Sequence, residues 1–233
     1  MTYRRLARSD DLVTFSVRVS QTDMLVSAET NLEREALVLV RDARAQIERR
    51  IAGQPGFLSS LVPLALDPAA PPVVAAMLEA ARRAQVGPMA AVAGAIADYV
   101  GRGLAANSGE IIVENGGDIY LRSRREREIA LVAEHHALAG LRIALPAVPE
   151  GAGIATSAGT LGHSLSFGRA DAVMVFAESG ALADAIATAI GNVVNCADDL
   201  QMALGRSREL GARAAAILAD GHMAVWGEIE LLG

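Results

Sequence analysis

Aromatic residues and cysteines are scarce in this chain of 233 residues. Aromatic residues make up 3% of the sequence, and Cys196 is the one cysteine. A single cysteine excludes an internal disulfide framework and fits a reducing compartment. The low aromatic content gives little sign of a protein-binding hot spot and suggests close helix-on-sheet packing through small residues instead. The sequence is compatible with a homo-oligomer.

Long hydrophobic runs are also absent. The longest apolar run extends from Val86 through residues 89–97 and stops at Asp98, which makes it too short to span a bilayer. The N-terminal arginines are followed by Asp10 and Asp11 instead of an apolar segment, so no secretory signal or lipid-attachment cysteine is visible. We therefore expect a cytoplasmic protein with no membrane partner.

Positive charge is in deficit. The formal net charge is −6 and the isoelectric point is near 5.3, which disfavours a nucleic-acid polymer as a partner because such binding needs a basic surface. Hydrophobic residues make up 52% and charged residues 21% of the chain, a balance typical of folded globular proteins. The length allows one sizeable core or two small ones.

Local patterns predict both strands and helices. Alternating apolar residues predict a first strand over 15–19 that pairs with residues 24–27, and a capping box of Thr30 and Glu33 predicts the start of a long helix that ends at Gly53. The same reasoning predicts helices over 72–84, 89–100 and 181–194 and strands over 111–113, 119–121, 129–133, 141–145, 172–176, 214–218 and 222–226. Gly94, inside an apolar helix, predicts a close backbone contact with another element or with a ligand.

A glycine pair flanked by carboxylates separates two of these strands. The segment runs Glu114, Asn115, Gly116, Gly117 and Asp118. A tight turn explains the glycines and the asparagine equally well, since both tolerate positive φ. The two carboxylates favour a functional role, because they can accept hydrogen bonds from ligand donors such as ribose hydroxyls or a flavin ring.

A second segment, rich in small and hydroxyl residues, follows Gly153 and is expected to be a loop. It contains Thr156, Ser157, Thr160, His163 and Ser164. Such segments are most often plain loops. Hydroxyls and free amide N–H groups also suit phosphate oxygens, and His163 would then serve as an acid, a base or a hydrogen-bond donor.

Asp184 and Thr188 lie four residues apart on the helix predicted over 181–194, so their oxygens share one helix face. They are either an exposed helix pair or a pair that is buried among small apolar neighbours. A buried pair needs partners, and a cation is one candidate. Mg²⁺ prefers hard oxygen ligands and takes waters or substrate phosphates for the remaining positions.

Three segments together resemble the ApbE superfamily, whose best-known members are FAD:protein FMN transferases. They are Val113 to Ile119, Gly153 to Ser157 and Leu182 to Ala189. The whole chain more closely resembles an uncharacterised ApbE-like family of prokaryotic proteins, through residues 86–97, 112–118 and 159–171. The resemblance implies an α+β fold, in which one ApbE-like domain over residues 1–233 has a mixed, largely antiparallel sheet flanked by helices.

The resemblance also implies a site and a chemistry. Mg²⁺ would be held by Asp184, Thr188 and the backbone carbonyl of Ala155, and residues 115–118 would form part of a flavin site. The transferases cleave FAD and attach FMN to a Thr or Ser of a target flavoprotein, so FAD or FMN and a target flavoprotein are the implied partners. His163 and Asp118 are then the candidates for proton transfer.

One departure from the transferases separates two hypotheses. Their site histidine is followed by an Asp-Pro-x-Thr-Gly loop, whereas here His163 is followed by Ser-Leu-Ser-Phe-Gly. The first hypothesis is an Mg²⁺-dependent enzyme that acts on FAD or a related nucleotide, as an FMN transferase does. The second is a flavin or nucleotide binder without catalysis, which the different loop favours.

Overall fold

An eight-stranded antiparallel sheet dominates the structure, a computed structural model that describes residues 7–130, 142–157 and 168–232. The strands are β1 (Val13–Val19), β2 (Thr22–Ala28), β3 (Ile111–Asn115), β4 (Asp118–Ser123), β5 (Arg127–Ala130), β6 (Arg142–Leu145), β7 (Val148–Ser157), β8 (Ala172–Ala177), β9 (Ala214–Ala219), β10 (His222–Gly227) and β11 (Glu230–Leu232). The large sheet has the order β1-β2-β3-β4-β7-β8-β9-β10, and a small sheet has the order β11-β6-β5.

Six α-helices complete the described part of the chain. They are α1 (Glu33–Gly53), α2 (Gly56–Ser59), α3 (Pro72–Ala84), α4 (Val92–Leu104), α5 (Gly180–Gly191) and α6 (Leu200–Glu209). A short 3₁₀ turn, Pro88–Ala91, leads into α4. Helices and antiparallel sheet together confirm the α+β prediction.

The large sheet separates two hydrophobic cores. Strand alternation sends Val113 and Tyr120 to the face that packs against the helices, and it sends Ile112, Ile119 and Leu121 to the face that packs against the small sheet. The helix-side core is the larger one and contains the buried faces of α1, α3, α4 and α5. The side chain of a strand residue therefore reaches the helices or the small sheet according to its position in the strand.

Two local predictions were wrong. The side chains of Thr30 and Glu33 form no capping box; the Asn31 carboxamide accepts the Glu33 N–H at 3.0 Å instead. Residues 153–157 belong to the long strand β7 and not to a loop. Gly153 is required within that strand, because a Cβ there would lie 2.0 Å from the backbone nitrogen of Gly180 at the start of α5.

The helices are too short or too polar to serve as membrane spans. In the part of the chain that the structure describes, none combines the length and the apolar character that crossing a bilayer requires.

Candidate functional site

A cavity of about 390 Å³ lies among the start of β4, the middle of α5 and the first turn of α4. Asp118, Asp184, Thr188 and Asn192 supply its polar surface. The remaining lining residues are small or apolar and come from α2, the segment after it, and the chain that leads into and begins α4: Leu58, Ser60, Leu61, Val86, Gly87, Met89, Ala90, Val92 and Ala93. Three of the residues singled out from sequence, Asp118, Asp184 and Thr188, therefore share one cavity.

The turn between β3 and β4 places Asp118 in this cavity. Asn115 and Asp118 are paired across the hairpin, and Gly116 between them has a φ of +68°, which favours glycine. A Cβ on Gly117 would lie 2.7 Å from the carbonyl oxygen of Thr156, so strand β7 can pass this close only to a glycine. The segment is thus a tight turn that also directs a buried carboxylate toward the helices.

Glu114 is not part of this group. As the neighbour of Val113 it lies on the other face of β3, where its buried carboxylate accepts the main-chain N–H of Ala7 at 3.0 Å. The physical reason is the register of the hairpin. Glu114 is paired with Ile119 and Asp118 is paired with Asn115, and successive residues of a strand point to opposite faces, so the two carboxylates lie on opposite faces of the sheet. The structure gives Glu114 a place in the wall of the second core, away from the cavity.

Helix α5 places Asp184 and Thr188 one turn apart. The hydroxyl of Ser179 caps the helix by accepting the Leu182 N–H at 3.2 Å. Apolar residues on either side of the pair are buried, which fixes the rotation of the helix and leaves both oxygens partly open to the cavity. The Asp184 carboxylate also accepts the main-chain N–H of Gly94, at 3.1 Å, in the first turn of α4.

Asp118 and Asp184 carry abnormal pKa values. Burial raises the pKa of Asp118 well above 3.8, and the charges of Asp184 and Asp98 raise it further. Burial likewise raises the pKa of Asp184 to about 7; hydrogen bonds from Gly94 and Ala93 oppose this shift and the charge of Asp98 adds to it. Carboxylates with raised pKa values in a cavity are typical of functional sites.

Cations are missing from the described lining of the cavity, which includes neither lysine nor arginine. The whole sequence has no lysine, since all 21 of its Lys and Arg residues are arginine. The two carboxylates are therefore not neutralised by a basic side chain of the described lining. A divalent cation would relieve the cost of their burial, and this charge deficit fits the magnesium prediction.

The ligand set suits Mg²⁺ better than a transition metal. Within residues 7–130, 142–157 and 168–232, no three His, Cys, Asp or Glu side chains form a group that could hold a metal. Mg²⁺ needs only one or two carboxylates, since waters and substrate phosphates supply the other oxygens. Asp184 and Thr188 meet that need, and Ala155 is paired with Asp118 between β4 and β7 although it does not line the cavity.

The remaining predicted residues divide into two groups. Thr156 and Ser157 end β7 and are partly exposed; alternation with Ala155 directs Ser157 toward the helix side and Thr156 toward the other side. Neither residue lines the cavity. Thr160, His163 and Ser164 lie outside the described residues.

Sequence reasoning missed two polar residues. Asn192 directly follows α5 and lines the cavity together with Asp184 and Thr188. It comes four residues after Thr188, and this spacing would have identified it. Asp98 is 5% exposed and lies on α4. Its carboxylate accepts the N–H groups of Gly180 and Ala181, at 2.7 and 3.1 Å, so it connects α4 to the start of α5.

A second cavity, of about 400 Å³, adjoins the first. The two share Leu58, Met89, Val92 and Ala93 as lining residues. Asn115 lines the second cavity and donates its side-chain N–H to the carbonyl of Ala93 at 3.0 Å. The start of α4 therefore forms a wall with a carboxylate-rich cavity on one side and a cavity with Asn115 and Arg44 on the other.

Comparisons with known proteins agree with this architecture. A family model described as AbpE bacteria matches residues 4–216. A UPF0280 protein of Methanopyrus kandleri is 39% identical, over 92% of this chain and 88% of its own length. A UPF0280 protein of Methanospirillum hungatei is also 39% identical, over 94% of this chain and 85% of its own length.

Solved structures show the same fold at low sequence identity. The flavin transferase ApbE of Vibrio cholerae matches with a TM-score of 0.60 and 14% identity, over 94% of this chain and 97% of that one. The ApbE protein of Thermotoga maritima matches with a TM-score of 0.58 and 13% identity, over 93% and 97% of the two chains. The shared fold spans nearly the whole of each protein.

Proposed function

Because the chain belongs to the family described as AbpE bacteria, we propose that it is an ApbE-like flavin transferase that uses Mg²⁺ and acts on FAD. The similar solved structures include a protein named as a flavin transferase, and their fold covers this chain almost completely. One fold can serve several functions, so the reaction is argued from the residues of the site. The chemistry of the cavity provides the further support.

The observation that carries the proposal is the charge of the cavity. Its described lining contains two aspartates and no basic side chain. A phosphorylated ligand would be repelled by such a cavity unless a cation neutralised it. Mg²⁺ on Asp184 and Thr188 would both neutralise the carboxylates and attract the pyrophosphate of FAD, so metal and ligand are expected to bind together.

The protein groups have separable roles in this proposal. Asp184 and Thr188 would hold the cation, and the carbonyl of Ala155, which strand pairing places opposite Asp118, would be the third ligand. When bound, Mg²⁺ neutralises charge that develops on the phosphate oxygens. The Asp118 carboxylate accepts the proton of an acceptor Ser or Thr hydroxyl as its oxygen forms a bond to the FMN phosphorus. The bond from that phosphorus to the bridging oxygen breaks, and AMP leaves.

The apolar wall of the cavity suits a flat heterocycle. Met89, Val92 and Leu58 line the boundary between the two cavities, and the Asn115 amide lies next to them. An apolar surface with a few polar groups is typical of sites for cofactor-sized ligands. We propose that the flavin binds against this wall.

Calorimetric titration with FAD, with and without Mg²⁺, tests the binding part of the proposal. We expect FAD to bind tightly only when Mg²⁺ is present. The Asp184→Asn variant should bind FAD weakly, and Mg²⁺ should not change its affinity. Asp10→Asn is the matched control, since that aspartate is exposed and does not line the cavity. Failure of FAD to bind the unmodified chain in either condition would overturn the flavin proposal.

Chromatography of the same mixtures tests turnover. A transferase releases AMP from FAD and attaches FMN to an acceptor protein. FAD that binds in the presence of Mg²⁺ and stays intact would favour the second function, a flavin or nucleotide binder. The segment after His163 motivates this second candidate, because Ser-Leu-Ser-Phe-Gly replaces the Asp-Pro-x-Thr-Gly loop of the transferases. A target flavoprotein and a cytoplasmic location stay predictions.

A further inference from the structure

Helices α4 and α5 carry the same five-residue pattern at the point where they meet. Residues 94–98 read Gly-Ala-Ile-Ala-Asp and residues 180–184 read Gly-Ala-Leu-Ala-Asp. The two glycines allow the backbones to touch: a Cβ on Gly94 would lie 2.1 Å from the carbonyl oxygen of Gly180, and a Cβ on Gly180 would lie 2.8 Å from that of Gly94. The repeat is therefore a contact between two equivalent helix starts.

The aspartates of the repeat cap each other's helices. Asp98 on α4 accepts the Gly180 and Ala181 N–H groups of α5, at 2.7 and 3.1 Å. Asp184 on α5 accepts the Gly94 N–H of α4, at 3.1 Å. Each carboxylate satisfies N–H groups that have no partner within their own helix. We call this reciprocal arrangement the Asp98–Asp184 clasp.

The two halves of the clasp differ one turn further along each helix. Four residues after Asp98 comes Arg102, whose positive charge favours the ionised Asp98 carboxylate. Four residues after Asp184 comes Thr188, which lines the candidate cavity and has no charge. Burial raises the pKa of Asp98, and the hydrogen bonds from Gly180 and Ala181 and the Arg102 charge offset part of that rise. Asp184 has no charged residue one turn further along its own helix, where Thr188 lies.

We propose that Asp98 is a positioning residue for the cation site at Asp184 and Thr188. Asp98 holds the first turn of α5 against α4, and Asp184 lies one turn beyond that contact. The clasp thereby holds α5, and with it Asp184, against the start of α4, whose residues Val92 and Ala93 line the candidate cavity. This inference rests on the proposed Mg²⁺ site and adds a residue outside the cavity lining to it.

The test measures Mn²⁺ affinity by electron paramagnetic resonance of the free ion, without FAD. Asp98→Asn keeps the shape of the side chain but removes one of its two hydrogen-bond acceptors. We expect the Kd for Mn²⁺ to rise about tenfold or more, as for residues that orient metal ligands. Ser179→Ala is the matched control, because it removes a cap from the same helix end whose hydrogen bond, to the Leu182 N–H, lies within α5.

A structural role alone predicts a different result. Both variants should then lower the melting temperature, and the Kd of the folded protein should stay within about twofold of the unmodified chain. That outcome for Asp98→Asn would overturn the inference while leaving the metal site intact. Absence of Mn²⁺ binding by the unmodified chain would overturn the metal site and the inference together.

A second variant covers the case in which Asp98→Asn does not fold. Gly180→Ala keeps both carboxylates, but its Cβ would lie 2.8 Å from the Gly94 carbonyl oxygen and 3.0 Å from the Asp98 Oδ1 atom. These contacts require a shift of a few tenths of an ångström between α4 and α5. We expect weaker Mn²⁺ binding from this variant also, and an unchanged Kd would overturn the proposal.

Discussion

The main-chain N–H of Gly94 donates to the Asp184 carboxylate at 3.1 Å, so a side chain of the candidate site also caps a neighbouring helix. This hydrogen bond partly stabilises a carboxylate that burial would otherwise keep protonated. The balance between these effects sets the pKa of Asp184 to about 7. Protons and cations should therefore compete for this group near neutral pH.

The first prediction concerns the pH dependence of the metal-free protein. The pKa of Asp184 is about 7 in the folded protein, against an ordinary value of 3.8. Above pH 7 the folded state bears the cost of a buried charge; between roughly pH 7 and pH 4 it takes up a proton before the unfolded state does, and the cost disappears. The melting temperature in EDTA should thus rise as the pH falls from roughly 8 to 5.5.

Burial also raises the pKa values of Asp118 and Asp98, so these two groups add to the same rise in stability as the pH falls. Asp11 and Glu110, which bind Arg127, have pKa values lowered by those interactions and by other hydrogen bonds, so their contributions to stability are lost only at more acidic pH. Scanning calorimetry in EDTA measures the effect. A melting temperature that is constant or falls between roughly pH 8 and 5.5 would contradict the raised pKa of Asp184.

The second prediction concerns Asp184→Asn. An amide keeps an oxygen that can accept the Gly94 N–H, but it removes the buried negative charge. We expect the metal-free variant to melt at a higher temperature than the unmodified chain at roughly pH 8, and we expect Mg²⁺ to give it no further stabilisation. Such a gain in stability with loss of binding is typical of functional residues.

Thermal melts with and without Mg²⁺ measure both effects. Asp10→Asn is again the control, since its carboxylate is exposed and its removal should leave the Mg²⁺-dependent shift unchanged. If Asp184→Asn keeps the full Mg²⁺-dependent shift, the assignment of Asp184 as a metal ligand is wrong.

The third prediction compares two glycines inside helices. A Cβ on Gly94 would lie 2.1 Å from the carbonyl oxygen of Gly180, whereas a Cβ on Gly205 in α6 would have no atom within 4 Å. Gly205→Ala should stabilise the protein by about 0.5–1 kcal/mol through helix propensity. Gly94→Ala should destabilise it by about 1–3 kcal/mol, because α4 and α5 must separate.

Urea denaturation of the two variants gives these free energies. The opposite signs are the essential result, since both changes add the same methyl group to a helix. Stabilisation by Gly94→Ala would show that the two helix starts have room to spare, and the reciprocal capping of Asp98 and Asp184 would then lose its structural basis.

Much of the site was predictable from local patterns, and the exceptions have physical causes. The spacing of Asp184 and Thr188 predicted that both lie on one helix face, and the glycine pair predicted a break between two strands, next to Asp118. Asp98 was missed because its role depends on a contact between residues 82 and 83 positions apart in the chain. The matching pentapeptides around it are short and alanine-rich, so they do not stand out in a chain of this composition.

Strand β7 shows a second physical reason why a local pattern gave a wrong prediction. Its glycines and hydroxyl residues are typical of loops, yet tertiary packing requires Gly153 to be small where β7 meets α5. The position of Glu114 was not predictable for a similar reason. Strand β3 carries buried residues on both of its faces, so its sequence does not show which face packs against the helices. Local propensity does not determine either feature.

The last prediction separates the two carboxylates that flank the glycine turn. Asp118 lines the candidate cavity, whereas Glu114 lies on the other face of the sheet and accepts the Ala7 N–H. Asp118→Asn should retain Mg²⁺-dependent FAD binding but lower AMP release by about 100-fold or more, since the proton acceptor is lost. Glu114→Gln should leave both properties unchanged and should cost only about 1 kcal/mol of stability.

Calorimetry gives the FAD affinity and chromatography gives the rate of AMP release for each variant. The two substitutions are chemically equivalent, each replacing a buried carboxylate by an amide, so a general effect of lost charge would appear in both. Equal losses of AMP release in the two variants would contradict the assignment of Asp118 to proton transfer. A loss confined to Asp118→Asn would locate the chemistry on the helix side of the sheet, where Asp184 and Thr188 lie.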